Sequence, residues 1–165
     1  MPQKSSQLKK PPVRTALPHA DWRSSCPLNA SVEILGDRWS LLIIRDMMLR
    51  GFRSYKQFLD SYERIATNIL AERLRKLEAY GIIAAKSDPG DGRKVVYSLT
   101  QKGMDLAPIL TEMVLWAAAH EDVKNQALVS EIKKDKQRFL EAVRERWKAQ
   151  NSQSVGTADQ PESKM

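Results

Sequence analysis

Thr67, Asn68, Ala71 and Arg75 fall on one side of the stretch 65–81, IATNILAERLRKLEAYG, when it is wound at 3.6 residues per turn. An asparagine amide matches the edge of adenine and a guanidinium the edge of guanine, each bidentate pair giving about 1–3 kcal/mol of discrimination. Ala71 between them leaves that face slim enough to enter a groove. The opposite face, Ala66, Leu70, Leu74 and Leu77, is apolar and needs a core. Gly81 is placed to end the helix, since glycine takes the left-handed conformation of a C-terminal cap without penalty. Glu72 would repel phosphate, so an i,i+4 pair with Lys76 is its expected use. Arg73 points sideways, toward a phosphate or an intramolecular carboxylate.

The segments on either side position that face. Ser54 is an N-cap before a short helix over 55–61, with Tyr55, Phe58 and Leu59 inward. Tyr62, Glu63 and Arg64 form a short connection into 65–81. Two short helices joined this way make the helix-turn-helix pattern, the second being the recognition helix. Ser54, Tyr55 and Lys56 open the first helix, where backbone amides suit a phosphate. Behind the recognition helix, residues 82–87 are extended, DPGDG over 88–92 is dense turn chemistry, and RKVVYSL over 93–99 alternates as a strand. A hairpin in this place is a wing. Arg93 and Lys94 at its rim are candidates for the phosphate backbone or the minor groove. Residues 37–100 carry 12 basic and 8 acidic side chains, a net of +4.

The remainder supplies core and tails. Pro27 suits a first helical turn, and Val32, Ile34 and Leu35 give that helix an apolar side up to Gly36. Asp37 is the expected N-cap of a helix that is apolar almost all round, the central core helix, with Trp39 as core packing. Gly51, Phe52 and Arg53 suit a brief strand. Thr100 caps a helix expected to run to Ala119, too apolar for a lone flank and therefore expected to bury against a twin subunit. A further amphipathic stretch, 130–148, sets Ile132, Phe139, Leu140, Val143 and Trp147 along a seam. The expected organisation is a disordered basic arm over 1–25 (Lys4, Lys9, Lys10, Arg14), a domain over 26–120, a helical extension over 121–150 and a disordered tail over 151–165.

Composition bounds the function. The 165 residues carry 27 Lys and Arg against 20 Asp and Glu, a net charge of +7, which favours a polyanionic partner. No apolar run is long enough to span a membrane, and the basic N-terminus lacks the apolar segment of a secretory signal. One cysteine excludes an internal disulfide and fits a reducing cytoplasm. His19 and His120 lie far apart without metal-ligand spacing, so neither a metal nor a cofactor is expected. There is no nucleophile–base pairing and no phosphate-cradling glycine loop, so no enzyme is expected.

Several short motifs arrive in a specific order: Cys26 and Pro27; Gly36, Asp37, Arg38 and Trp39; LRKLEAYG over 74–81; VYSLT over 96–100; Gly103; and Trp116. Across about residues 26–119 the chain resembles the HxlR family of bacterial winged helix-turn-helix transcriptional regulators. The resemblance implies a mainly α fold with a small β-hairpin wing (α+β). It also implies a homodimer that binds a palindromic operator in double-stranded DNA and represses or activates nearby genes. A serine often opens the recognition helix in this family; Ala66 stands here, which shifts the expected cap to Thr67. Cys26, just before a helix start where the dipole can raise a thiol's reactivity, becomes a candidate redox or electrophile sensor responding to a small oxidant. Two other readings use the same wing. One is a MarR-type regulator with a ligand pocket between longer helices. The other is a protein-interaction module without DNA binding, against which the outward Asn68, Arg75, Arg93 and Lys94 count, because protein-facing surfaces are more often apolar.

Overall fold

The computed structural model describes residues 23–88 and 90–153. The basic stretch 1–22 and the tail 154–165 lie outside the described residues, and with them most of the arm and tail expected from the sequence. Among the described residues, eight helices and one hairpin follow in the order α1 (Pro27–Leu35), α2 (Ser40–Leu49), α3 (Tyr55–Leu59), α4 (Thr67–Ala79), β1 (Ile83–Ser87), β2 (Val95–Leu99), α5 (Gln101–Met104), α6 (Ala107–His120), α7 (Gln126–Lys134) and α8 (Lys136–Gln153). The fold is mainly helical with a two-stranded antiparallel wing, Ile83 opposite Leu99 and Ser87 opposite Val95.

The core forms around α2, which buries Ile43, Ile44, Met47 and Met48. Phe58 of α3, Leu70, Leu74 and Leu77 of α4, Ile82, Ile83 and Leu99 close over it. Each such side chain removed from water contributes about 1.5–3 kcal/mol. Phe58 meets Phe52 and Tyr97 edge-on at 6.0 and 6.2 Å, tying α3 to the wing. Gly81 closes α4 at φ +66°, and the chain turns directly into β1. A side chain at Gly103 would put its Cβ 2.2 Å from the Ile82 carbonyl, so only glycine lets α5 lie this close to the start of the hairpin.

Several boundaries differ from expectation. The segment 51–53 is not a strand. Gly51 turns at φ +68°, and the sheet receives one bridge, Ser54 to Val96, with the Tyr97 N–H donating to the Arg53 carbonyl. The helix expected over 100–119 divides into α5 and α6, because Pro108 in the first turn of α6 starts a new helix. Thr100 keeps its capping role, accepting from the Gly103 N–H. The stretch 130–148 divides at Asp135, whose carboxylate accepts from the Arg138 N–H and restarts the chain as α8, which continues to Gln153, past the expected limit at 150. No residue of α1 is buried, and Val32 faces outward. The extension docks on the wing base through Trp147, whose indole Nε1–H donates to the Leu99 carbonyl at 2.9 Å.

A cluster of charges joins α2 to the turn that precedes α4. Arg45 reaches Asp46 Oδ1 at 2.7 Å and Glu63 Oε1 at 2.8 Å, while Arg50 lies 3.2 Å from Asp46. The Ser61 hydroxyl is within hydrogen-bond distance of both Asp46 and Glu63. Hydrogen bonding from Arg45 holds the Glu63 carboxyl down to about 2, from an ordinary 4.5. A carboxylate depressed in the folded state stabilises the fold above its unfolded value and loses that contribution as pH falls. Glu63→Gln is therefore expected to cost about 1 kcal/mol at neutral pH, given the partial exposure of the pair. In urea unfolding series, the gap from wild type should be complete above pH 4.5 and close as the pH approaches 2; a gap independent of pH would remove Glu63 from this role.

Candidate nucleic-acid interface

The outer face of α4 carries Thr67, Asn68 and Arg75 exposed, with Ala71 half-buried between them. Arg75 Nε donates to the Ala71 carbonyl one turn back at 3.2 Å, so the side chain lies along the helix. The helix starts from Ala66, which offers no side-chain cap, and the cap does not pass to Thr67. Thr67 instead offers its backbone carbonyl to the Tyr55 hydroxyl at 2.6 Å, joining α3 to α4.

Asp37 fixes the middle of α4. It accepts from the amides of Trp39 and Ser40, both at 2.9 Å, and from the Ser40 hydroxyl at 2.5 Å. It therefore serves the start of α2 from three residues before the helix, rather than as its immediate N-cap. The same carboxylate lies 3.3 Å from Arg73 Nε and 3.6 Å from Lys76 Nζ. Burial pushes the Asp37 carboxyl up, but the Ser40 hydroxyl, the Ser40 and Trp39 amides and Arg73 together hold it below the usual carboxylate range. Of the two roles open to Arg73, the intramolecular carboxylate is the one it takes. Glu72 pairs with Arg73 at 3.3 Å and not with Lys76, because Asp37 claims the lysine.

Two candidates at the head of α3 are occupied within the fold. Ser54 and Gln57 form a reciprocal capping box, which uses the Ser54 and Gln57 amides that a phosphate would need. Tyr55 spends its hydroxyl on Thr67. Lys56 remains exposed. Gln57, whose amide oxygen also accepts from the Arg53 N–H, is signalled in the sequence only by the Ser-x-x-Gln spacing of a capping box. Arg64, read from the sequence only as part of the connection, stands exposed in the turn before α4 at φ +51°.

The wing tip is organised by two aspartates. Asp88 accepts from the amides of Gly90 and Asp91. Asp91 holds Arg93 Nε at 3.1 Å and Lys94 Nζ at 3.5 Å, and hydrogen bonding from Arg93 lowers the Asp91 carboxyl. Both basic side chains nonetheless stand in solvent, Arg93 at 92% and Lys94 at 72% exposure. Cys26 is exposed and unbonded to another cysteine at the residue before α1. Among the described residues there is no group of His, Cys, Asp and Glu that would hold a metal, and no helix is long and apolar enough to cross a membrane.

A helix-turn-helix with a polar, exposed second helix and a basic hairpin directly behind it defines a winged helix-turn-helix domain. Residues 34–125 match the model of the HxlR-like helix-turn-helix family, and the chain belongs to that family. It is 36% identical over 93 residues to the HTH-type transcriptional regulator YodB of Bacillus subtilis (strain 168), covering 56% of this chain and 82% of YodB. It is 38% identical over 88 residues to the HTH-type regulator sll1512 of Synechocystis sp., covering 53% of this chain and 64% of that relative. Among solved structures, the oxidized form of the redox regulator HypR superposes with a TM-score of 0.53 at 30% identity, covering 59% of this chain and all of HypR. The reduced form of YodB gives 0.50 at 34% identity, covering 60% of this chain and 97% of that one. The protein is a transcriptional regulator of this winged-helix type.

Asp37 performs two separable tasks, and two substitutions divide them. Asp37→Asn, which keeps a cap acceptor and loses the charge beside Arg73 and Lys76, is expected to cost about 1 kcal/mol. Asp37→Ala should cost about 1 kcal/mol more through the lost cap. Equal losses in denaturant unfolding would mean that capping contributes nothing.

Proposed function

We propose that the protein is a sequence-specific DNA-binding regulator that acts as a homodimer on a palindromic operator. The observation that carries this reading is the face of α4, where Thr67, Asn68 and Arg75 stand exposed on a helix held at its middle by Asp37 and, just before its first turn, by the Arg45–Glu63 pair. Asn68 and Arg75 read base edges in the major groove. Lys56, Arg93 and Lys94 hold phosphates on either side and set register without reading sequence.

Dimerisation is supported by large apolar side chains left exposed on the subunit. Ile109, Met113 and Trp116 repeat at helical spacing along α6, with Trp116 63% exposed, and Leu28 and Val32 are exposed on α1. Two copies related by a two-fold axis present two α4 helices to half-sites about one DNA turn, roughly 34 Å, apart. Cys26, exposed ahead of the family-matched residues, is the candidate switch, and the likeness to the redox regulator HypR supports an oxidant or electrophile as effector. With a single cysteine per chain, an oxidant yields an inter-subunit bond or a mixed disulfide, and an electrophile yields an adduct.

The deciding experiment is a titration on DNA from upstream of the protein's own gene and its neighbours, at several salt concentrations, beside a scrambled duplex. A steep salt dependence with strong preference for the native DNA is expected, and equal weak binding to both would favour the protein-interaction reading. On a specific site, Arg75→Ala should cost about 1–3 kcal/mol while leaving scrambled DNA almost unaffected. Lys94→Ala should weaken both DNAs and flatten the salt slope by about one. Equal loss on both duplexes for Arg75→Ala would reassign that residue to phosphate. Cys26→Ser should bind DNA as wild type does under reducing conditions and no longer respond to diamide or a quinone; an intact response would retire the switch.

A further inference from the structure

An apolar cavity of about 250 Å³ lies between α2, α6, α7 and α8. Leu42 and Arg45 of α2, Leu110 and Ala117 of α6, Leu128 of α7 and Phe139 of α8 represent its walls. The helices α7 and α8 lie beyond the family-matched residues 34–125, so the outer wall is built outside the matched domain. Thr111 also lines the space, but its hydroxyl is satisfied by the Ala107 carbonyl at 2.8 Å. The space is open to solvent on one side, and water held against so apolar a lining has few polar partners and is readily displaced by an apolar ligand.

We propose that this cavity is a binding site for a small aromatic molecule of one or two rings, bearing at most one oxygen substituent. The lining fits the usual pattern of a small-molecule site, an apolar body with few polar groups that fix orientation. Here the orienting group is Arg45, the one charged side chain of the wall. Its guanidinium is held by Asp46 through Nε and Nη2 and by Glu63 through Nη1. One N–H on each of Nη1 and Nη2 is left to donate to a ring hydroxyl, whereas a carboxylate would meet Asp46 and Glu63. It also belongs to the charge cluster that secures the turn before α4, so an occupant touching Arg45 acts on the mounting of the recognition helix. This site is separate from Cys26 and needs no covalent step.

The test uses the full chain and 2-naphthol, a fluorescent two-ring phenol, without DNA. Saturable binding at one molecule per chain is expected, together with a raised unfolding midpoint. Ala117→Phe fills the cavity from α6 and should weaken binding at least tenfold while leaving the circular dichroism spectrum unchanged. Val114→Phe fills it from the same helix and serves if the first variant does not fold. Cys26→Ser should bind 2-naphthol as wild type does. Absence of saturable binding, as when a side chain from a second copy already occupies the space, would overturn the site. So would undiminished binding in a folded, filled variant, or loss of binding in Cys26→Ser.

Discussion

The polar face of α4 is held in place by carboxylates from the segment ahead of α2 and from the turn before α4 itself. A helix that must present its side chains to a groove cannot be gripped on that side, so everything that fixes it acts from behind or from its ends. Leu70, Leu74 and Leu77 supply the apolar seat, but such a seat resists sliding and rotation weakly. Direction comes from charge. Asp37 takes Arg73 and Lys76, and Arg45 with Asp46 takes Glu63 just before the helix begins. The helix has no side-chain cap at Ala66, and the Tyr55 hydroxyl on the Thr67 carbonyl makes α3 and α4 a single body at that end.

This scheme spends cations that a count of charges would assign to DNA. Over residues 37–100 the sequence has 12 basic side chains. Arg45, Arg50, Arg73 and Lys76 are committed to internal carboxylates, and Arg93 and Lys94 share Asp91. The wing pairs differ from the internal ones in kind. They are largely solvated, where an ion pair is worth little, so a phosphate can replace Asp91 at small cost. Arg73 and Lys76 cannot be released so cheaply, because their partner also caps α2.

Much of this was legible in the sequence, and the reason is local. The faces of α4, its end at Gly81, the Ser54 cap and the hairpin all follow from periodicity and turn chemistry, which act over a few residues. The family motifs named the same architecture. What escaped was either non-local or a choice among equals. Nothing in the spacing says that Asp37 will meet Arg73 and Lys76, more than thirty residues on, so the sequence alone points Lys76 to the nearer Glu72. Tyr55 and Ser54 have the right types for phosphate, yet closer partners, Thr67 and Gln57, consume their polar atoms. The divided helices are a milder case. Pro108 and Asp135 carry ordinary start signals, outweighed in the sequence by unbroken apolar periodicity on both sides.

The indole of Trp147 on the Leu99 carbonyl joins two residues 48 positions apart, one at the foot of the wing and one near the end of the last helix. During synthesis the hairpin leaves the ribosome well before its fastening does. At ~5–20 residues per second, the interval is roughly 2–10 seconds. Through that time the apolar faces of α2 and α6 that α7 and α8 will cover stand open. The nascent chain is therefore exposed to premature association for seconds on each round of translation, and the final helix closes that interval as well as completing the fold.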